Sequence, residues 1–522
     1  MTGVFILLLT CWGSIFVNTS LFTDTQIVPK WICFLSGVSC YGYYISIRFF
    51  SKKEHHNIYI LIIGIIILCI LQALYGIVQY ISNSKGFVSG SFDNPAGLSS
   101  CIVAATPLLY GIKTNKWIYI SVILLTSITL LLSCSRSGII AAYFVLVIIF
   151  IRSKINYKWK FLILLSLIIT VIICALYVKS DSTKGRLLIW LCSIELIKKS
   201  LWFGQGYGAF AKHYMNIQAE FFAKNPNNDF IPLADNVTHP FNEILSLLIV
   251  GGLFLFLILL IYVYFLIYCY KKSPSKLSFA ALLSLTGVFI CSIPSYPFTY
   301  PFTWFIVLLD SWILISNAFP IKVILYKVRY SLQISIFLIS SFGLSKLYNR
   351  VKNELQWKQT YEYKVNSYER IASYKSLMNK LNRNPYFLYN YATELYKTKN
   401  YDDCLTVAKQ CYKYWADYDL ELLLGNTYRK LGKLKEAETH YITASYMCPV
   451  RFVPLYNLAL LYRQFNKIEQ SDSLAYKIIR KRVKISSPDI SAIKLEMKLQ
   501  LEKSLDNFDS IINNIQNFTE KE

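Results

Sequence analysis

Residues 57–79 read NIYILIIGIIILCILQALYGIVQ, with no charged side chain anywhere in the run. A helix needs about 20 consecutive apolar residues to cross the hydrocarbon of a bilayer. Backbone placed there must satisfy its own hydrogen bonds, which a helix does and a lone strand does not. This stretch predicts a membrane-spanning helix, and much of the chain repeats its pattern. Working outward from it, spans are expected near 3–18, 28–47, 57–79, 97–112, 117–133, 137–151, 159–178, 241–269, 277–293, 299–318 and 329–347. The first run has no basic start and no small-residue cleavage site, so it reads as a retained span rather than a signal peptide.

Composition agrees with that reading. Of 522 residues, 55% are hydrophobic and 16% charged, and the mean hydropathy is +0.40. Soluble globular chains carry about 25% charged residues. The deficit excludes a cytosolic enzyme, a disulfide-stapled secreted domain and a disordered protein. Forty Tyr, 33 Phe and 10 Trp suit repeated passage through water–lipid interfaces. The net charge of +24 is not a nucleic-acid signature. Through Leu347 there are 26 Lys/Arg against 10 Asp/Glu, mostly in short loops where basic residues orient helices. The 13 Cys contain no CxxC pair, and most lie inside apolar runs. They predict neither a disulfide framework nor a metal site.

The loops also predict sidedness. With the N-terminus cytoplasmic, the inner loops hold 15 basic residues, from Arg48, Lys52 and Lys53 to Lys322, Lys327 and Arg329. The short outer loops hold Lys85 and Arg136. That asymmetry sends a long loop, 179–240, and everything after residue 347 to the outer side. Loops of such length inside a compact membrane domain are usually functional.

After residue 347 the chain turns polar and Tyr-rich without a long apolar run. Residues 418–450 fit a tetratricopeptide unit, with Leu424, Gly425 and Tyr428 in one helix, Ala437, Tyr441 and Ala444 in the next, and Pro449 closing it. Equivalent positions fall at Ala392, Leu395, Cys404, Ala408 and Cys411, and again at Ala459, Tyr462, Ser471, Ala475 and Ile478. The expected fold class is therefore all-α: a polytopic membrane helix bundle of about eleven spans, a long outer loop and a C-terminal α-solenoid. The expected domains are 1–347 (membrane, with loop 179–240), 348–385 (helical linker), 386–483 (repeats) and 484–522 (helical tail). A solenoid of this kind usually holds a partner protein.

Few residues are suited to chemistry. The sequence has five His, and only His213 and His239 lie in the long outer loop. There is no HExxH, no nucleotide-binding P-loop and no strand–GxGxxG–helix unit, so no metal or nucleotide cofactor is expected. The loop opens with GRLLIW at 185–190. An apolar stripe of Leu187, Trp190, Leu191, Ile194 and Ile197 suits a helix lying on the membrane surface, or one packed on the bundle with Arg186 snorkelling. Gly204-Gln205-Gly206-Tyr207-Gly208 reads best as a plain turn. The loop ends in Thr238-His239-Pro240-Phe241-Asn242-Glu243. Pro240 suits a helix's first turn, which would put His239 against the positive end of that helix, neutral and able to accept a proton. Glu243 is expected to face the water-filled mouth. The alternative for His239 is a cap with no chemistry. Arg136, in Ser133-Cys134-Ser135-Arg136-Ser137-Gly138, is an interfacial anchor or a site residue. Asp93 and Asn94, in GSFDNPAG (90–97), are sugar-hydroxyl ligands or parts of a turn.

Together these segments resemble the O-antigen ligase/polymerase superfamily of bacterial membrane glycosyltransferases. GSFDNPAG, LSCSRSG, GRLLIW, WFGQGYGAF, and HPFNE followed by Gly251-Gly252 stand in the family's order across roughly residues 60–320. The trailing repeats resemble those of some O-antigen ligases and protein O-oligosaccharyltransferases. The resemblance implies a metal-independent, inverting GT-C-type transferase needing no cofactor. It would take a glycan from undecaprenyl diphosphate at the periplasmic face of the inner membrane. By the same resemblance Arg136 and Arg186 hold the diphosphate and His239 activates the acceptor, with Asp93, Asn94, Asn242 and Glu243 as candidate glycan or acceptor contacts. Many relatives carry a second His where this chain has Phe241. The implied acceptor is lipid A–core, with a protein Ser/Thr or a growing glycan as alternatives, and the repeats imply a partner protein. No nucleic acid is implied. A transporter would show broken spans in pairs or ionisable groups at mid-membrane, and Asp310 is nearly alone in that respect.

Overall fold

The computed structural model describes residues 2–16, 29–48, 58–82, 88–152, 158, 166, 180–319, 329–362 and 366–519. Among them every regular element is helical. Ten of the eleven expected spans fall on described helices, and the seventh, 159–178, lies outside the described residues except at 166. Among the described residues, four helices are long and apolar enough to cross a membrane by themselves: Ile58–Ser82, Lys116–Ser133, Glu243–Lys272 and Pro301–Ala318. Thr2–Ile15, Pro95–Gly111 and Lys276–Ser292 are shorter apolar helices. The chain is a polytopic helical membrane protein. It divides into two compact units.

The first unit holds residues 1–180, 201–204 and 240–363. In lipid, apolar faces gain little by meeting, so helices associate where small residues let backbones approach. A Cβ on Gly64 would stand 2.2 Å from Leu8 Cδ2 of helix Thr2–Phe16, and one on Gly287 would stand 2.6 Å from Val103 Cγ1. Buried hydroxyls add cross-ties: Ser284 Oγ donates to the Ala104 carbonyl at 2.6 Å and Thr129 Oγ1 to that of Ala73 at 3.3 Å. The last helix of the unit runs unbroken from Arg329 to Glu362, 34 residues, about 50 Å at 1.5 Å per residue.

The second unit holds residues 181–200, 205–239 and 364–522. Three helix pairs recur in it: Pro385–Lys397 with Tyr401–Tyr412, Tyr418–Lys430 with Leu434–Met447, and Val453–Gln464 with Ile468–Arg480. Each pair turns the same way. Lys399, Gly432 and Asn466 all adopt left-handed backbone (φ 63°, 72° and 57°). In each turn the next amide donates five residues back at 2.9 Å, from Asn400 to Leu395, Lys433 to Tyr428 and Lys467 to Tyr462. That is the six-to-one closure of a helix C-terminus. The equivalent small and apolar residues, including Ala392, Ala408, Ala437, Ala444, Ala459 and Ala475, are fully buried. Gly425 is small for a reason, since a Cβ there would meet the Tyr441 ring at 2.6 Å.

Candidate active site

In the first unit, four turns interlock at one end. Gly90, with φ of 60°, starts a turn whose Asn94 caps helix Pro95–Ala105 by accepting from the Gly97 amide at 3.0 Å. Asn94 Nδ2 donates to Tyr296 Oη at 2.6 Å, and Tyr300 Oη donates to Asp93 Oδ1 at 2.7 Å. Asp93 and Asn94 thus bind the turn 296–300. Lys30, which falls inside an apolar stretch and drew no attention in the sequence, is 3% exposed. Its Nζ donates to the Ser91 carbonyl at 2.6 Å and lies over the Phe92 ring.

The run around Arg136 is shaped by packing. Cys134 is left-handed (φ 49°) and ends helix Lys116–Ser133, and Arg136 opens helix Arg136–Arg152. Ser135 Oγ lies 2.7 Å from Ser99 Oγ, and a Cβ on Gly138 would overlap Ser99. Arg136 is half-buried at this junction.

The run that follows His239 departs from expectation in two ways. Helix Glu243–Lys272 is capped by Asn242, whose Oδ1 accepts from Ile244 and Leu245 amides at 2.9 and 3.0 Å. Pro240 therefore precedes the cap and is not in the first turn. Phe241 is left-handed (φ 51°) and stacks edge-on with Tyr296. An Asn side chain serves an N-cap better than any nearby residue, which moves the helix start two residues on. The helix field decays within a turn, so the proposed reason for a neutral His239 weakens. Glu243 is half-buried instead of facing water, and its Oε1 accepts from the Phe298 amide at 2.9 Å.

Helix Glu243–Lys272 is also broken. Gly252 has φ 60° and ψ −160°, a region essentially reserved for glycine. Past the break, the amides of Leu253 and Phe254 donate to the carbonyls of Leu201 and Trp202 at 2.9 and 3.0 Å. A Cβ on Gly204 would lie 2.5 Å from the Gly251 nitrogen, and one on Gly252 2.5 Å from the Trp202 carbonyl. Gly204 is therefore a close backbone crossing rather than part of a plain turn. Gly206 and Gly208 do stand in open turn positions, at φ 86° and 85°. A glycine pair inside an apolar span was the available signal for the break.

In the second unit, Arg186 lies in helix Ser180–Lys198 and is half-buried. That helix buries Leu188, Ile189, Cys192, Leu196 and Ile197, and exposes Leu187, Leu191 and Ile194. The expected stripe is therefore split, with Leu187, Leu191 and Ile194 on the exposed side and Ile197 on the packed side. His213 sits on helix Ala209–Lys224. Burial and the neighbouring Lys212 and Lys199 hold its imidazole below the usual range. His239 is half-buried and ends this unit's share of the loop.

A comparison with curated proteins finds no match. Residues 121–260 match the family model described as O-antigen ligase. That segment begins in helix Lys116–Ser133 and ends beyond the Gly252 break, so it includes Arg136, Arg186 and the run from His239 to Glu243. Over that segment the chain is similar to the O-antigen ligase family, the superfamily its motifs resemble.

Proposed function

We propose that this protein is a glycan ligase of the bacterial inner membrane. It transfers O-antigen or a related glycan from undecaprenyl diphosphate to lipid A–core on the periplasmic side. The observation that carries the reading is the match over residues 121–260 together with the residue types inside it. Two guanidiniums suit a diphosphate leaving group, on which charge grows as the glycosidic bond breaks, because each makes paired charge-assisted hydrogen bonds. Arg136 and Arg186 have that role. His239 takes the proton of the acceptor hydroxyl, a single displacement inverts the anomeric centre, and the reaction needs neither metal nor cofactor. Asp93, Asn94, Asn242 and Glu243 are candidate contacts to the glycan or the acceptor, and the helix pairs at 386–483 are tetratricopeptide repeats that receive a partner protein or the acceptor.

The test is a deletion strain in which lipopolysaccharide and envelope proteins are both examined. Loss of polymeric glycan from lipopolysaccharide, with lipid-linked glycan accumulating, supports the ligase. Loss from proteins instead assigns Ser/Thr acceptors, and shortened chains on lipopolysaccharide assign a polymerase.

Two further outcomes are expected. Arg136→Lys and Arg186→Lys each keep the charge but lose the planar fork, so transfer should fall by about 10-fold or more while protein levels hold. Near-normal transfer by both lysine variants would remove the clamp. Alkaline phosphatase fused after residue 350 should be active. An inactive fusion, with a cytoplasmic reporter active at the same position, would reverse the sidedness.

A further inference from the structure

The loop that carries His239 is built into the C-terminal helices. Helix Ala209–Lys224 packs against helix Leu434–Met447 within the second unit. Gln218, fully buried, ties three segments together. It accepts from Tyr214 Oη at 2.7 Å and donates to the carbonyls of Met447 at 2.7 Å and Asp235 at 3.1 Å. The Met447 carbonyl lies in a helix's last turn, where no intrahelical donor remains. The Ala416 amide donates to the Ala211 carbonyl at 2.9 Å.

The stretch just before His239 is held twice more. Arg451 Nη2 pairs with Asp235 Oδ1 at 2.8 Å, largely in solvent, where such pairs contribute little. Asn236 Nδ2 donates to Asp417 Oδ2 at 2.5 Å. Asp417 is 2% exposed and uses its other oxygen to cap helix Tyr418–Lys430 through the Asp419 amide at 2.8 Å. A buried carboxylate that both starts a helix and grips the loop three residues before His239 fixes that segment far better than surface charge does.

We propose that the C-terminal helices set the position of His239, with Gln218 and Asp417 as the positioning residues. The proposal rests on the reading of His239 as the acceptor base. It gives the C-terminal helices a place in the reaction itself. A misplacement of about 1 Å at a reacting group can cost as much as 100-fold in rate.

The experiment uses the purified full-length protein in lipid nanodiscs. The donor is lipid-linked glycan extracted from the deletion strain, and the acceptor is that strain's glycan-free lipopolysaccharide. Asn236→Asp sets two carboxylates against each other. Adding Asp417→Asn restores a donor–acceptor pair with the roles exchanged, and Asn caps a helix as well as Asp does. Asn236→Asp should lower kcat about 10-fold or more, leave donor KM and Tm close to wild type, and speed amide exchange in residues 234–239. The double variant should recover both kcat and slow exchange.

Wild-type kcat in Asn236→Asp despite fast exchange would overturn the proposal, as would unchanged exchange or a double variant that recovers neither property. His239→Ala in the same assay separates the two claims. Full transfer by that variant removes the base and leaves the exchange data to judge the tie alone.

Discussion

His239→Ala should lower glycan transfer by on the order of 100-fold or more while lipid-linked donor still binds. The acceptor is a hydroxyl, a weak nucleophile near neutral pH, and a positioned base is worth about 10²–10⁴ in rate. Only one other imidazole lies in the long loop, and it makes a direct control. His213 is held below the usual histidine range by burial and by Lys212 and Lys199. It therefore stays neutral through pH 7, as a base must, yet it sits on a helix face packed in the second unit. His213→Ala should be nearly silent. If neutrality alone made a base, the two variants would look alike.

The pH profile sharpens the contrast. An acid limb in kcat belongs to the base that must lose its proton, and it should vanish in His239→Ala and survive in His213→Ala. Wild-type transfer by His239→Ala with its acid limb intact would leave catalysis to the arginines.

Helix type and helix order were legible because they follow from one-dimensional signals: uninterrupted apolar runs for the spans, and small residues 33 or 34 apart for the C-terminal pairs. Capping was harder. Pro240 and Asn242 are both good helix starters, and only the three-dimensional fit of Asn242 to the Ile244 and Leu245 amides decides between them. Helix Ser180–Lys198 also buries Leu188, Ile189, Cys192 and Leu196 outside the expected stripe, because apolar residues flank that stripe and its burial depends on its neighbours. The alliance of the 209–239 loop with helices 418–447 had no local signal at all, since Gln218, Asp235 and Asn236 look like ordinary loop polarity until Met447 and Asp417 come within bonding distance. Lys30 was hidden by its apolar setting. Arg136, Arg186 and His239 were picked out by residue type and order, and what the fold adds is the framework each one stands on.

That framework predicts the second large effect, at the broken span. Gly252→Ala should abolish accumulation of folded protein, or lower its thermal midpoint in detergent by 10 °C or so. Two costs combine. The backbone at φ 60° and ψ −160° strains any residue with a Cβ by roughly 1–3 kcal/mol. The new methyl would also press on main-chain atoms of Trp202 at 2.5 Å, and backbone atoms have no rotamer by which to escape. Relieving the clash means withdrawing the 201–204 segment. The Leu253 and Phe254 amides then lose their acceptors at the break in the helix. Gly204→Ala meets the same crossing from the other side and should behave alike.

A glycine away from the crossing gives the control. Gly185 lies within helix Ser180–Lys198 with nothing within 4 Å of its would-be Cβ. Gly185→Ala should be neutral or stabilise by up to about 1 kcal/mol, because alanine loses less backbone freedom in a helix. If Gly252→Ala accumulates and melts like the Gly185 variant, the span is continuous there. The 201–204 segment then owes its place to something other than the gap in the helix.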